Sequence, residues 1–320
     1  MITEETKEKR NSNRNLIAEE YEARASILEG MPSSLIVEPG AICHLRCPFC
    51  PQTYDDFDLS REFIKLGDFK KIVDYFNDSL QHINLFNWGE PFLNESIIEM
   101  IGYAADHQIE TDIHSTLDSL TAKLIERLPG SGLTRLTVSL DGASEETYQI
   151  YRKRGSFQRS YSHLKALVEK QKETRNKHFQ IVWKFLVFRH NQHEMKKAQE
   201  MADELGVRIH FAYAEASGDY VSTLEEYNGA NFNKKFSREY NSQCTQAWKG
   251  PVVHSNGDIL PCCQIYHKKY VLGNIFRQDF KSIWNNETYQ KTRQVAAGEI
   301  EADPSLCCYD CYFNPFRVEK

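Results

Sequence analysis

Nine cysteines are the residues of this sequence with the clearest capacity for chemistry. Three of them, Cys43, Cys47 and Cys50, share one short segment. The other six all lie in the last quarter of the chain: Cys244, Cys262, Cys263, Cys307, Cys308 and Cys311. An odd number of cysteines, with no apolar export signal near the N-terminus, argues against a disulfide framework. Two groups separated by a long cysteine-free stretch predict two metal sites.

The first group has the spacing of an iron–sulfur site. Cys43-His-Leu-Arg-Cys47-Pro-Phe-Cys50 offers three thiolates in one loop, which can ligate three irons of a [4Fe–4S] cube. No fourth cysteine lies nearby, so one iron stays open to a substrate or a cofactor. Zinc is the alternative, but it prefers four closed ligands, and His44 is awkwardly placed to be the fourth.

The elements that must position these residues alternate between strand-like and helix-like segments. Apolar, β-branched runs are separated by stretches with apolar residues three and four apart. Six such alternations predict parallel strands with crossover helices and ligands at the carboxyl ends of the strands. The predicted strands are Leu35–Val37, Ile83–Phe86, Ile109–Ile113, Leu133–Leu140, Phe179–Phe188 and Val207–Phe211.

Four regions follow from this pattern. Residues 1–33 are predicted as an N-terminal extension, with a solvated helix over residues 15–29. Residues 34–211 form the α/β unit, and residues 212–240 form a connector or substrate-covering loop with a short helix near Leu224. Residues 241–320 form a small cysteine-rich domain, with a hairpin around Asn256-Gly257 and a helix over Phe280–Ala297. A domain with so small an apolar core needs additional stabilisation, which a bound cluster would supply.

Composition narrows the functional classes. The chain has 39 basic and 45 acidic residues, a net charge of −6, and no basic block. We therefore expect no nucleic-acid partner. No run of apolar residues is long enough to span a bilayer, so no membrane partner is expected either. We expect a cytoplasmic location.

The cysteine loop after the first strand resembles that of radical S-adenosylmethionine (radical SAM) enzymes. The resemblance implies a partial (β/α)6 TIM-like barrel in which the open iron binds the amino and carboxylate groups of SAM. Reductive cleavage then gives a 5′-deoxyadenosyl radical that abstracts hydrogen from a substrate, with a flavodoxin- or ferredoxin-type protein as reductant. Phe49 matches the family's aromatic position, where the backbone meets adenine.

Three downstream segments extend the resemblance in the expected order. Gly89-Glu90-Pro91 resembles the motif that receives the SAM amino group, and Glu90 would supply the anionic acceptor. Ser139 lies where the family places a hydroxyl against SAM. Arg152 matches an arginine that pairs with the SAM carboxylate, a role for which its bidentate fork is suited.

The segment after the third strand departs from the family. Relatives usually carry Thr-Asn-Gly there, whereas this chain reads Ile113-His114-Ser115-Thr116. The hydroxyl of Ser115 can still contact the cofactor. His114 is a candidate substrate contact or proton acceptor, the alternative being a structural histidine.

The second group of cysteines resembles the SPASM or twitch extension of radical SAM enzymes. The resemblance implies that Cys244, Cys262, Cys308 and Cys311 hold one auxiliary [4Fe–4S] cluster. Adjacent cysteines in an extended segment point to opposite sides, so Cys263 and Cys307 are predicted to be spare. Cys263 is then a candidate catalytic hydrogen-atom donor in an epimerase, the alternative being a small buried apolar residue.

The leading functional prediction is oxidation or epimerisation of a small polar substrate, similar to a carbohydrate or an aminocyclitol. A closed auxiliary cluster would accept the electron released by the substrate. Maturation of a ribosomally made peptide, by epimerisation, thioether formation or crosslinking, is the second prediction. A non-catalytic iron–sulfur protein is the third.

Overall fold

A computed structural model describes residues 2–174, 176, 178–228 and 244–311. Strands run over Ser34–Val37 (β1), His82–Asn84 (β2), Glu110–Ser115 (β3), Arg135–Ser139 (β4), Gln180–Val187 (β5), Arg208–Tyr213 (β6), Val252–Val253 (β7), Asp258–Leu260 (β8) and Gly273–Asn274 (β9). Helices run over Glu4–Glu22 (α1), Leu66–Tyr75 (α2), Ile97–Asp106 (α3), Ala122–Arg127 (α4), Glu145–Tyr151 (α5), Phe157–Thr174 (α6), Met195–Leu205 (α7), Gln246–Lys249 (α8), Phe280–Trp284 (α9) and Glu287–Ala297 (α10).

The strands of the described residues form a single sheet. Its order is β6-β5-β4-β3-β2-β1-β7-β8-β9, and every neighbouring pair from β1 to β6 is parallel. Strand β7 adds to β1 in parallel, and β8 and β9 follow it as antiparallel neighbours. Because β6 and β9 are the two edges, the barrel is open, which confirms the predicted partial barrel.

The alternation of side chains along β5 shows how the sheet separates core from interior. Trp183, Phe185 and Val187 are buried in the main apolar core that also contains helix residues. The intervening Lys184 and Leu186 are half-buried and point to the opposite, concave face. The apolar layer thus lies between sheet and helices, and polar residues are free to line the interior.

The N-terminal helix differs from the prediction. It was expected over residues 15–29, but α1 begins at Glu4, where Thr3 caps it by accepting from the amide of Thr6 (3.2 Å), and it ends at Glu22. Periodicity failed here because the additional turns are anchored by a polar residue. Arg10 is 3% exposed and donates to the carbonyl oxygens of Asn77 (2.8 Å) and His107 (2.9 Å).

Two details of the cysteine-rich region also differ. The predicted helix over Phe280–Ala297 is two helices, because Asn286 caps α10 by accepting from the amide of Tyr289 (2.8 Å). The helix expected near Leu224 is a single 3-10 turn over Glu225–Tyr227. Most of the predicted connector after that turn lies outside the described residues. No described helix combines the length and the apolar composition needed to cross a bilayer.

Candidate cofactor and cluster sites

The loop after β1 holds the first three cysteines against a packed surface. Cys47 is 5% exposed and lies in a small apolar cluster with Tyr151, and Cys43 and Cys50 pack against the same cluster. Thr53 fixes the loop, because its hydroxyl donates to the carbonyl oxygens of Cys47 (3.2 Å) and Cys50 (2.8 Å). The three thiols therefore share one semi-enclosed surface.

The chemistry of this donor set fits an iron–sulfur cluster. Burial raises the pKa of Cys43 to about 12 and that of Cys50 to about 11, so neither is a thiolate without a cation beside it. Within the described ranges, no three His, Cys, Asp or Glu side chains form a group that could hold one metal ion. Each thiolate of a cube binds a different iron, so cluster ligands need not converge as zinc ligands must.

Gly89, Glu90 and Pro91 lie directly against this loop. The amide of Glu90 donates to the carbonyl oxygen of Ile42 (2.9 Å). A Cβ atom on Gly89 would overlap the carbonyl oxygen of Gly40. The glycine is therefore required for the close approach of the β2 loop to the cysteine loop.

The carboxylate of Glu90 is buried and held in a fixed orientation. It is 4% exposed, accepts from the hydroxyl of Ser115 (2.7 Å) and the amide of Thr116 (3.3 Å), and burial raises its pKa. A ligand ammonium would offset the cost of this burial, which suits the predicted role. Ser115 itself accepts from the amide of Leu117 (2.9 Å), so its observed role is to orient Glu90. Contacts of Ser115 and Glu90 with SAM remain predictions.

A second buried acid, Glu38, links β1 to the β2 loop, and the sequence analysis did not identify it. It is fully buried, and its carboxylate accepts from the amide of Trp88 (2.6 Å). Burial raises the pKa of Glu38 to about 7. The indole of Trp88 donates to the carbonyl oxygen of Ile265 (2.9 Å), two residues after Cys263. Trp88 therefore joins the first site to the segment that carries the second.

Ser139 and Arg152 lie at the carboxyl end of β4. Ser139 is the last residue of that strand and is half-buried. Arg152 donates from Nε to the fully buried Asp141 (2.6 Å), and its Nη1 lies 3.6 Å from the sulfur of Cys47. The other oxygen of Asp141 accepts from the amide of Leu186 (2.7 Å). The structure thus brings Arg152 to the cysteine loop, and its contact with the SAM carboxylate remains a prediction.

Neighbouring side chains fix two further residues of the cysteine loop. The Nε2 atom of His44 lies 2.7 Å from Oδ2 of Asp118, so this ring nitrogen is not available to a metal. The ring of Phe49 stacks with Tyr151 (centroids 6.4 Å apart, 21° between planes) and meets the Tyr220 ring edge-on at 5.0 Å. The predicted contact of the Phe49 backbone with adenine is untested.

His114 faces the interior on β3. Its ring stacks on Phe86 with centroids 3.8 Å apart and 7° between planes. Burial and the charge of Lys184 lower its pKa to about 4, so the ring is neutral at pH 7. A neutral imidazole can accept a proton, and its catalytic role remains a prediction.

The six C-terminal cysteines line one cavity of about 610 Å³. Burial raises the pKa of Cys244, and a hydrogen bond with Cys263 together with burial raises the pKa of Cys262. Buried thiols in a shared cavity fit a cluster that neutralises their thiolates. The cavity contains all four predicted ligands, Cys244, Cys262, Cys308 and Cys311, and both predicted spares.

The expectation that adjacent cysteines point to opposite sides is wrong. The sulfurs of Cys307 and Cys308 lie 3.8 Å apart, and the Cys263 side chain raises the pKa of its neighbour Cys262. Both pairs lie at turns rather than in extended strands, and the side-chain alternation holds only for extended backbone. Cys263 and Cys307 therefore lie beside the predicted ligands Cys262 and Cys308, and side-chain direction does not distinguish ligand from spare cysteine in either pair.

Comparison with known proteins identifies both regions. A family model of the radical SAM superfamily matches residues 37–208. A model of the SPASM iron–sulfur cluster-binding domain matches residues 244–313. Together they cover both cysteine groups, strands β2 to β5 and strands β7 to β9.

Curated relatives and solved structures span most of the chain. An AdoMet-dependent heme synthase of Methanosarcina barkeri (strain Fusaro / DSM 804) is 24% identical, over 87% of this chain and 89% of the relative. The antilisterial bacteriocin subtilosin biosynthesis protein AlbA of Bacillus subtilis (strain 168) is 21% identical, over 91% of this chain and 69% of the relative. The fold is shared with SAM-bound Streptococcus suis SuiB (TM-score 0.68, 17% identity, 89% of this chain and 72% of that one). It is also shared with BtrN in complex with AdoMet and 2-DOIA (TM-score 0.53, 15% identity, 84% of this chain and 89% of that one).

Proposed function

Because this chain belongs to the radical SAM superfamily and has a C-terminal SPASM domain, we propose that it oxidises or epimerises a small polar substrate inside the open barrel. The observation that carries the proposal is the grouping of Glu90, Arg152 and the cysteine loop at one edge of the sheet. The Glu90 carboxylate, the Arg152 guanidinium and the three thiols match the contacts that the SAM ammonium, the SAM carboxylate and the irons of the cluster need.

Each residue has a separate task at this edge. Cys43, Cys47 and Cys50 hold the first cluster, and Glu90 accepts the amino group of SAM. Arg152 is fixed by Asp141 and adds positive charge beside Cys47. When bound, SAM and the first cluster supply a 5′-deoxyadenosyl radical upon one-electron reduction.

The second site supports a net oxidation. Cys244, Cys262, Cys308 and Cys311 would hold an auxiliary cluster with no open iron, and such a cluster supplies a one-electron acceptor. The bond from Trp88 to Ile265 connects this region to the β2 loop beside the first site. Cys263 lines the same cavity and is the residue proposed to return hydrogen if the reaction is an epimerisation.

Peptide modification is the second candidate. Its support is the match to AlbA, which covers 91% of this chain. Among the described residues β6 is an edge strand of the sheet, which is compatible with a longer substrate that approaches from that side.

The proposal is tested with anaerobically reconstituted protein, a flavodoxin-type reductant and SAM. We expect 5′-deoxyadenosine, and none from Cys43→Ala, whereas Cys307→Ala serves as the matched cysteine control. Substrate panels of aminocyclitols, sugars and peptides then separate the two candidates. A preparation with intact clusters that forms no 5′-deoxyadenosine under any condition would instead support a non-catalytic iron–sulfur protein.

Deuterated water separates oxidation from epimerisation. An epimerase that uses Cys263 incorporates solvent deuterium through the exchangeable thiol, and Cys263→Ala abolishes that incorporation. A dehydrogenase incorporates none, and Cys263→Ala leaves its turnover close to that of the parent protein.

A further inference from the structure

Lys184 places a cation on the concave face of the sheet. Its neighbours Trp183 and Phe185 are buried against the helices, so alternation directs Lys184 to the interior. The side chain is half-buried, and its charge acts on His114 across the interior. Lys184 is therefore an interior residue at the same face as the predicted cofactor contacts.

The strand register gives Lys184 two polar neighbours. It pairs with Ser139 on β4 and with His210 on β6, so the three residues form a row across adjacent strands. Neighbouring strands are about 4.8 Å apart, so these side chains are within reach of one ligand group. His210 is exposed on β6, which is an edge strand of the described sheet.

Nearer the amino ends of the strands, a row of polar side chains shows a cation that is paired with a carboxylate. Asp112 on β3 lies 3.0 Å from Arg135 on β4 and 3.4 Å from His82 on β2. The Arg135 guanidinium in this row thus has the Asp112 carboxylate beside it, in contrast to Lys184.

The carboxylate whose charge acts on Lys184 is already engaged. Asp141 accepts from Arg152 and from the amide of Leu186, which occupies both of its oxygens. Among the described residues, neither the Lys184 ammonium nor the His210 ring has an ion pair or a hydrogen bond. A half-buried cation without a partner is unfavourable until a ligand anion reaches it.

We infer that the substrate of this site carries a carboxylate, which binds to Lys184 with His210 as a flanking donor. The inference rests on the proposed function, because it names the substrate class for that same interior. It also orients the substrate, since the carboxylate is held at β4–β6 and the remainder faces the cysteine loop.

Differential acetylation tests this directly on the reconstituted, SAM-saturated protein. Acetic anhydride reacts with the neutral form of an amine, and burial lowers the pKa of Lys184, which favours that form. Succinate is the probe and succinamide its uncharged isostere, at equal ionic strength set with sodium chloride. We expect succinate to slow acetylation of Lys184 at least threefold, as measured by mass spectrometry, and succinamide to leave it unchanged. The exposed Lys196 is the internal control and should react equally in all samples.

Three results would overturn the inference. Equal protection by succinate and succinamide, or by neither, removes the carboxylate site. Full protection in His210→Ala, which has no side-chain donor, would show that His210 is not a flanking donor. A loss of SAM affinity of tenfold or more in Lys184→Met would reassign Lys184 to the cofactor, whereas we expect a change below twofold. Formation of 5′-deoxyadenosine by the same preparation tests the proposed function separately, because it does not depend on the acetylation result.

Discussion

Gly89→Ala tests whether the β2 loop and the cysteine loop form one packed unit. The added Cβ would overlap the carbonyl oxygen of Gly40 and lie 2.9 Å from both the Gly40 carbonyl carbon and the Ile42 amide nitrogen. All three are backbone atoms, so no side chain can rotate away. Ordinary contacts of a carbon atom are about 3.5 Å, so relief of the overlap with the Gly40 oxygen requires one loop to move by more than about 1 Å.

The cost has two parts. Overpacking against rigid neighbours costs about 1–3 kcal/mol. Displacement weakens the bond from the Glu90 amide to the Ile42 carbonyl, at about 1 kcal/mol. We therefore expect Gly89→Ala to lower the free energy of unfolding by about 2–4 kcal/mol and to lower the iron content of the first cluster.

Gly67→Ala is the matched control. Gly67 is the second residue of α2, and a Cβ there meets nothing within 4 Å. Alanine favours a helix over glycine, so this change should raise stability by about 0.5–1 kcal/mol. Both variants are measured anaerobically by urea unfolding and by iron analysis. A Gly89→Ala protein with parental stability and full iron would refute the packed unit, and a destabilised Gly67→Ala would show that the chain tolerates no added methyl group.

Three further changes test separate parts of the structure. Arg293 is fully buried and donates to the carbonyl oxygens of Ala247 (3.0 Å) and Ser26 (2.9 Å). Arg293→Met should lower the free energy of unfolding in urea by about 3 kcal/mol, because those carbonyls lose their donor. Unchanged stability would contradict this role of Arg293. Cys262→Ala should reduce iron from about eight to about four per chain while Cys263→Ala keeps about eight, and the reverse result would exchange their roles. The pKa of Glu38 is about 7 in the folded protein against an ordinary 4.5, so the folded state binds this proton more tightly and stability falls as pH rises from 4.5 to 7. Glu38→Gln should remove about 2 kcal/mol of the fall in unfolding free energy between pH 5 and 7.5. An unchanged pH dependence in urea titrations would show that Glu38 is already ionised.

The strands could be predicted because their composition is decided locally. Apolar β-branched runs such as Phe179–Phe188 are buried on the helix side, and the observed β5 over Gln180–Val187 lies within that run. The N-terminal helix could not, because its first turns depend on a distant partner. Arg10 binds carbonyl groups that become neighbours only when α2 and α3 have packed. Periodicity in the sequence does not report such a contact.

The candidate site was predictable to the extent that its residues lie in local motifs. The cysteine loop and Gly89-Glu90-Pro91 are continuous in sequence, and their approach is visible in the structure. The directions of Cys262 and Cys308 relative to their neighbours were not predictable, because a turn replaces the extended backbone that the argument assumed. The sequence analysis did not identify Lys184, because its position in the interior depends on the register of three strands.

Buried carboxylates explain why the loops at the carboxyl edge behave as one structure. Glu38, which follows β1, accepts from the amide of Trp88 in the loop after β2. Glu90, which follows β2, accepts from the amide of Thr116 in the loop after β3. In both cases an acid after one strand binds backbone of the next loop. The loops are therefore joined in the order of the strands rather than independently.

The same pattern continues through the next two strands. Asp118, which follows β3, accepts from the amide of Ser156 (2.9 Å), beyond β4. Asp141, which follows β4, accepts from the amide of Leu186 on β5. Four successive strand ends thus each place one carboxylate on backbone of the following unit, where a charge-assisted bond is stronger than a neutral one. Loss of any one carboxylate should therefore disturb the next loop as well as its own, which is why a change at Glu38, five residues before Cys43, is expected to reach the cofactor contacts at Glu90.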